Sequence, residues 1–115
     1  MAVLTEEQAL IKDQASDWVK EKAPVSSFRA LRDSKSKQAF LPETWQAMVD
    51  MGWSGILVPE QYGGSDLGYL TSGLILEQLG RQLTASPFFA SSVVGASALM
   101  LAGDTAQQEA LMPGI

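Results

Sequence analysis

The sequence predicts an all-α fold, an orthogonal or up-down bundle of about six helices. Apolar residues recur every three or four positions over much of the chain, which is the spacing of a helix that buries one face. Capping residues, prolines and glycines separate these stretches from one another, and no stretch shows the strict apolar–polar alternation of a half-buried strand. The 115 residues are enough for one domain with its own hydrophobic core.

Three helices are predicted in the first half of the chain. The first follows Thr5, which can cap it in a capping box with Gln8. It ends before Pro24, because proline cannot continue a helix. A short second helix is predicted over residues 26–33, and the third starts at Pro42, a residue that is favoured in the first helical turn.

The second half begins with an irregular stretch and continues into three more helices. The apolar run 53–59 is too short for a buried helix and predicts an extended or turn segment that crosses the core. The predicted helices cover residues 69–81, 86–102 and 104–111. The last of them would start at Asp104-Thr105, with Gln108 completing a capping box.

The fifth predicted helix has an unusual composition. It carries no charged residue and is apolar nearly all round, so it is predicted to lie at the centre of the bundle. It would be either a plain core helix or a helix whose small residues leave room for an apolar ligand. Its four serines make it a poor membrane span.

Charge is distributed unevenly along the chain. The first 60 residues hold 16 charged residues and the last 55 hold five. Because Lys, Arg, Asp and Glu are the residues that normally face water, we expect the second half to be covered by polypeptide other than its own. The net charge of −5 argues against a nucleic-acid surface, which needs clustered Lys and Arg.

Catalytic and metal-binding constellations are missing from the sequence. It has no Cys and no His, which removes disulfides, thiolate chemistry, the commonest metal ligand and the commonest general base. Glu60 and Glu77 are candidate carboxylates, but a lone Glu on a loop or helix is more simply a solvated side chain. The start of the chain lacks the basic and apolar regions of a secretory signal, so the expected location is cytoplasmic.

Residues 51–81, MGWSGILVPEQYGGSDLGYLTSGLILEQLGR, resemble a segment shared by acyl-CoA dehydrogenases. The shared pattern is a Gly-rich turn, an apolar strand-like run, Pro-Glu, a Tyr-Gly-Gly turn, and a helix that carries Glu-x-Leu-Gly-Arg. The two flanks, LTEEQALIKDQASDWV and LAGDTAQQEALMPGI, also look like that family. The resemblance therefore covers essentially the whole chain.

The resemblance implies that residues 1–115 are the N-terminal helical domain of an FAD-dependent acyl-CoA dehydrogenase. A middle β-domain and a C-terminal helical domain would be absent, and FAD would bind mainly between those two. The acyl-CoA substrate would lie against the flavin, and the catalytic base would come from the C-terminal part. No residue here corresponds to that base, and neither Glu60 nor Glu77 is assigned the role. The full-length subunit is expected to form a homo- or hetero-oligomer.

The resemblance also implies site residues. In the family, the start of the fifth helix forms the far wall of the acyl pocket, and by position this falls on Pro87, Phe88 and Ser91. Tyr62 is expected at the seam with a neighbouring domain, where its hydroxyl would reach water or the cofactor. The glycines that follow it in the Tyr-Gly-Gly turn would allow positive φ and close backbone approach.

Two alternatives remain open from the sequence. The same helical fold is found in acyl-CoA oxidases, nitroalkane oxidases and flavin monooxygenases, which differ in the absent C-terminal part. The second alternative is a free-standing helical module. It would bind an apolar ligand or a partner helix through its charge-poor half. It would fold as a compact, cooperative monomer, whereas the family interpretation predicts exposed apolar surface, self-association or marginal stability.

Overall fold

In the computed structural model, which describes residues 3–115, the chain forms six α-helices and, over that range, no strand. The helices are α1 (Glu6–Lys22), α2 (Val25–Asp33), α3 (Pro42–Asp50), α4 (Gly68–Arg81), α5 (Ala96–Ala102) and α6 (Thr105–Leu111). Short 3₁₀ helices lie at Trp53–Gly55, Glu60–Tyr62 and Met112–Gly114. The all-α prediction is confirmed. The first two residues of the predicted domain lie outside the described range.

A π-helix precedes α5 and runs into it without a break. It covers Phe88–Gly95, and together with α5 it forms one rod over residues 88–102, which we call the fifth helix. Its N-cap is Pro87, so the helix begins two residues after the predicted residue 86, and the hydroxyl of Ser86 accepts a hydrogen bond from the Phe88 N–H at 3.3 Å. The prediction of one continuous helix is confirmed, but its π-helical first half was not predicted.

Two capping boxes fix helix starts. At α1 the Thr5 hydroxyl accepts from the Gln8 N–H at 3.1 Å, and the Gln8 side chain accepts from the Thr5 N–H at 3.0 Å, as predicted. At α6 the predicted partner is wrong. Asp104 is the N-cap, so the third helical residue is Gln107, and these two exchange hydrogen bonds of 2.8 and 2.9 Å.

The centre of the bundle is α4, which packs along α1. Its buried residues lie on two adjacent sides and are Thr71, Ser72, Leu74, Ile75, Gln78 and Leu79. The fifth helix buries a single stripe with a spacing of four, Phe88, Ser92 and Ala96. The prediction that the fifth helix is central is therefore wrong. An apolar composition shows that a helix avoids water, but it does not show whether this chain supplies the cover.

The apolar run after α3 crosses the core as a turn, in agreement with the prediction. Trp53, Ile56, Leu57 and Val58 are all at most 3% exposed. The Trp53 ring meets that of Trp18 edge to face, with ring centroids 5.3 Å apart, an arrangement that aromatic pairs prefer. This contact joins the turn to α1.

The domain is a slab rather than a sphere. It extends over 43 × 37 × 22 Å, and its Cα radius of gyration of 14.7 Å exceeds the value of about 13 Å expected for a compact domain of this length. A thin slab has two broad faces and little interior. None of the described helices has the length and apolarity needed to cross a membrane.

Candidate functional site

The irregular segment 58–67 folds back on the residues that precede it. Three backbone hydrogen bonds hold it there, from the N–H groups of Ser65, Asp66 and Leu67 to the carbonyl oxygens of Gly55, Val58 and Ile56, at 3.0, 3.1 and 2.8 Å. Buried backbone groups need such partners, and these bonds fix the segment although its only helical turn is the short 3₁₀ helix Glu60–Tyr62. The segment therefore forms a defined surface between α3 and α4.

The two adjacent glycines of this segment have different roles. Gly63 has a φ of +91°, a conformation that side chains rarely adopt. Gly64 has an ordinary φ, but a Cβ there would lie 2.0 Å from the Val58 carbonyl oxygen. Both predicted reasons for the pair, positive φ and close backbone approach, are confirmed, each at one position.

Tyr62 joins the irregular segment to the end of the chain. The residue is half-buried and its ring packs on the core. Its hydroxyl donates to Oε1 of Gln108 over a long 3.5 Å. The Gln108 amide in turn donates to the carbonyl oxygens of Leu99 at 2.9 Å and Gly103 at 3.2 Å. Gln108 thus closes the end of α5 and contacts Tyr62, a role that no helical spacing in the sequence indicates.

A small cleft lies beside the Tyr62 ring. Its volume is about 150 Å³, and it is lined by Gly52, Ser54, Gly63, Gly64, Ser65, Met112 and neighbouring residues. Pockets that enclose a cofactor-sized ligand usually have at least about 300 Å³. This cleft therefore does not fit a complete FAD. A contact between Tyr62 and a cofactor stays a prediction.

The predicted acyl-pocket residues lie at the start of the fifth helix, and they differ in exposure. Phe88 is completely buried, whereas Pro87 and Ser91 are half-buried. The Ser91 N–H donates to the Pro87 carbonyl oxygen at 2.8 Å, so these two residues are held one helical turn apart. The neighbouring Phe89 is 59% exposed, and its ring lies on the surface of the domain.

A second cleft, of about 200 Å³, lies between the end of α4 and the start of the fifth helix. It is lined by Leu76, Leu79, Gly80, Thr84, Ser86, Phe88 and Phe89. It shares no residue with the cleft beside Tyr62. Of the predicted acyl-wall residues only Phe88 lines this second cleft, whereas Tyr62 lines the first one.

The two candidate carboxylates are surface groups. Glu77 accepts a hydrogen bond from Arg81 at 3.0 Å, one helical turn away, and both side chains are more than half exposed. Glu60 is exposed at the start of a 3₁₀ helix. Among residues 3–115 there is no group of three potential metal ligands. The expectation that the catalytic base comes from the C-terminal part stays a prediction.

Ser92 is an unexpected feature of the fifth helix. Its hydroxyl is fully buried, and no described residue forms a hydrogen bond with it. A serine in an α-helix often donates to the carbonyl four residues earlier, but the π-helix shifts backbone bonding to a spacing of five. π-helical turns are frequent at functional sites. Sequence reasoning missed both features because nothing in the spacing of residues 88–95 indicates a wider turn.

Comparison with known proteins places the chain in a family. The family model described as acyl-CoA dehydrogenase, N-terminal domain, matches residues 5–115. The chain is 31% identical over 112 residues to isovaleryl-CoA dehydrogenase, mitochondrial, of Pongo abelii, an alignment that covers 96% of this chain and 26% of the relative. It is 40% identical over 82 residues to cyclohex-1-ene-1-carbonyl-CoA dehydrogenase of Geobacter metallireducens, which covers 70% of this chain and 20% of the relative.

A third relative is acyl-CoA dehydrogenase FadE27 of Mycobacterium tuberculosis, 36% identical over 75 residues, with 65% of this chain and 20% of the relative covered. The chain thus spans between 20% and 26% of the length of these three curated relatives. No solved structure matches it. The family match over nearly the whole chain agrees with the resemblance seen in the sequence, and the protein belongs to the acyl-CoA dehydrogenase family, in which it corresponds to the N-terminal domain.

Proposed function

We propose that this chain is the N-terminal helical domain of an FAD-dependent acyl-CoA dehydrogenase and that it walls off one side of the acyl-CoA site. A middle β-domain and a C-terminal helical domain would complete the subunit, and they would supply the catalytic base and most contacts to FAD. The full-length subunit would assemble into a homo- or hetero-oligomer. Relatives named for isovaleryl-CoA and cyclohex-1-ene-1-carbonyl-CoA support an acyl-CoA thioester as the substrate.

One observation carries the proposal that this domain covers a site completed by other domains. Among the described residues nine large hydrophobic side chains are exposed, and seven of them lie in the charge-poor second half. These seven are Tyr69, Leu70, Leu83, Phe89, Val94, Leu101 and Leu111. Exposed apolar side chains at this density mark surfaces that pack on something else. The slab shape of the domain gives that half a broad face to pack with.

We propose that Pro87, Phe88 and Ser91 form the far wall of the acyl pocket, each in a different way. Pro87 and Ser91 are half-buried, so they would face the end of the acyl chain. Phe88 would support the wall from beneath, because its side chain is completely buried. Together these residues would exclude water from the acyl group.

Tyr62 would lie at the seam with the neighbouring domain. The hydrogen bond from its hydroxyl to Gln108 is at the long limit of 3.5 Å, where such bonds are weak. The hydroxyl could therefore exchange this partner for water or for the cofactor. Its ring would remain fixed by the core residues against which it packs.

The test is an activity measurement on the full-length protein and on the 115-residue chain. The full-length protein should reduce an electron-accepting dye when an acyl-CoA is added, and the 115-residue chain should not. Oxygen consumption in place of dye reduction would favour an oxidase or a monooxygenase. Dye reduction by the 115-residue chain alone, or a full-length protein that is inert toward acyl-CoA thioesters, would contradict the proposal.

The wall is tested by added bulk in the full-length protein. Ser91→Trp should lower kcat/KM for long acyl-CoA substrates by about tenfold or more, because a filled pocket loses the binding energy of its substrate. Short acyl-CoA substrates should be affected less. Ser26→Trp, on the exposed side of α2, is the matched control. Equal effects of the two variants would remove Ser91 from the wall.

A further inference from the structure

The basic residues of this acidic chain are concentrated in one segment. Residues 20–37 hold six basic and two acidic residues, whereas the rest of the chain holds two basic and eleven acidic residues. All six basic residues are exposed. Two of them pair with an acidic residue directly before or after them in the sequence, and the other four form no salt bridge with any described residue. The segment therefore carries positive charge that this part of the chain leaves uncompensated.

An apolar groove lies beside this segment, between α2 and the start of α3. Its volume is about 360 Å³, large enough for side chains from another molecule. Leu31 and Leu41 line it, and it adjoins a deeper apolar recess at Phe28. Lys35 and Lys37 alternate along the chain with the polar residues that line its edge. We call this feature the α2 groove.

The first turns of α1 carry the complementary features. Leu10 is 69% exposed. Its neighbours on the helix surface, at three and four positions, include Glu6, Glu7 and Asp13. None of these carboxylates forms a salt bridge with a described residue. We call this apolar side chain with its three carboxylates the Leu10 knob.

We propose that the Leu10 knob of one copy of this chain docks in the α2 groove of a second copy. The leucine would fill the apolar floor, and the carboxylates would face the basic segment, so apolar meets apolar and the charges are opposite. A chain cannot fill its own groove. About 20 Å along the axis of α1 separate Leu10 from Ala23. Ala23 follows the last turn of α1 and borders the recess of the groove.

The shape of the basic region favours a protein partner over a membrane. Leu31 and Leu41 are half-buried in the floor of the groove, whereas binding to a bilayer surface needs apolar side chains that protrude. A recessed apolar floor accepts one anchoring side chain from a partner. Reciprocal docking of two copies would close a dimer, and one-way docking would give an open chain.

The experiment is sedimentation velocity on the 115-residue chain over a range of concentrations. Self-association should be strongest at low salt and should weaken as salt screens the charges. Leu10→Asp should raise the dissociation constant by about tenfold or more, because it removes a leucine that the contact between the two copies would bury. Phe89→Ser, on the exposed apolar half, is the matched control and should leave the groove contact in place.

Charge reversal gives the decisive part of the experiment. A groove variant, Lys35→Glu with Lys37→Glu, and a knob variant, Glu7→Lys with Asp13→Lys, should each self-associate poorly, because like charges meet in both. An equimolar mixture of the two should associate again, because each groove then meets a knob of opposite charge. Circular dichroism would check that α1 is intact, and Asp13→Lys alone serves if the double variant unfolds.

Three results would overturn the proposal. The first is a mixture that stays monomeric. The second is self-association that survives Leu10→Asp and is abolished by Phe89→Ser, which would assign it to the apolar second half. The third is a chain that does not self-associate at low salt; if that chain binds vesicles of anionic phospholipid through Lys35 and Lys37, the basic segment is a membrane surface instead.

Discussion

Two helices of this protein are built mostly from uncharged residues, yet they occupy different positions. α4 buries residues on two adjacent sides and lies at the centre of the bundle. The fifth helix has no charge at all, yet it buries one stripe and exposes Phe89, Val94 and Leu101. A helix without charges is therefore not necessarily the innermost helix. A helix that avoids water is not always a helix that its own chain buries.

The difference follows from the neighbours of each helix. α4 lies along α1, and its buried polar residues include Thr71 and Ser72, whose hydroxyls donate to backbone carbonyls at 2.8 and 2.9 Å. The outer side of the fifth helix has no comparable cover among the described residues. In a slab 22 Å thick, one broad side of an apolar helix remains on the surface.

The largest expected effect separates the two sides of the fifth helix. Phe88→Ala should lower the free energy of unfolding by about 3–5 kcal/mol, the usual cost of removing a buried phenylalanine side chain. Phe89→Ala should change it by less than about 0.5 kcal/mol, as for most surface substitutions. Urea unfolding of both variants measures the difference. Similar losses would mean that the outer side of the helix is also packed within this chain.

A smaller effect is expected at two buried serines, one in each helix. Ser92→Ala should raise the free energy of unfolding by about 1 kcal/mol, because it removes a buried hydroxyl without a partner. Ser72→Ala should lower it by about 1 kcal/mol, because the hydroxyl of Ser72 donates to the Tyr69 carbonyl oxygen. Thermal unfolding of the two variants shows whether each substitution raises or lowers the free energy of unfolding. A loss of stability at both positions would show that Ser92 has a partner after all, such as a buried water.

The smallest effect concerns a glycine in each helix. A Cβ at Gly73 in α4 would contact nothing within 4 Å, so Gly73→Ala should stabilise the protein by about 0.5–1 kcal/mol. A Cβ at Gly95 would lie 3.4 Å from the Ala90 carbonyl oxygen, so Gly95→Ala should gain less. If chemical unfolding shows the same gain in stability for both variants, the π-helix leaves as much room for a Cβ as α4 does.

The sequence predicted the helix bounds well because local chemistry determines them. Thr5 and Pro42 mark helix starts through a cap and a fixed φ, and these signals need only neighbouring residues. The roles of Gly63 and Gly64 followed from the absence of a side chain, which is also a local property. The family resemblance added the expected positions of the acyl wall and of Tyr62, which remain predictions.

The features that the sequence could not predict depend on residues far apart in the chain. The central position of α4 depends on α1, and the contact of Tyr62 with Gln108 spans 46 residues. The π-helix has no sequence signature that we detect. The capping partner predicted in α6 lies one residue too far along the chain because Asp104 and Thr105 are both capable N-caps, and only the backbone decides between them.

The Gln108 amide also determines how short a working version of this domain can be. Judged by helix ends alone, the chain could be cut at Gly103 with little harm. Such a cut would remove the donor to the Leu99 carbonyl, the partner of the Tyr62 hydroxyl and the buried Met112 side chain. The irregular segment would lose the contact of Tyr62 with Gln108, 46 residues further along the chain. Any minimal version used for crystallisation or library design must therefore extend through Met112.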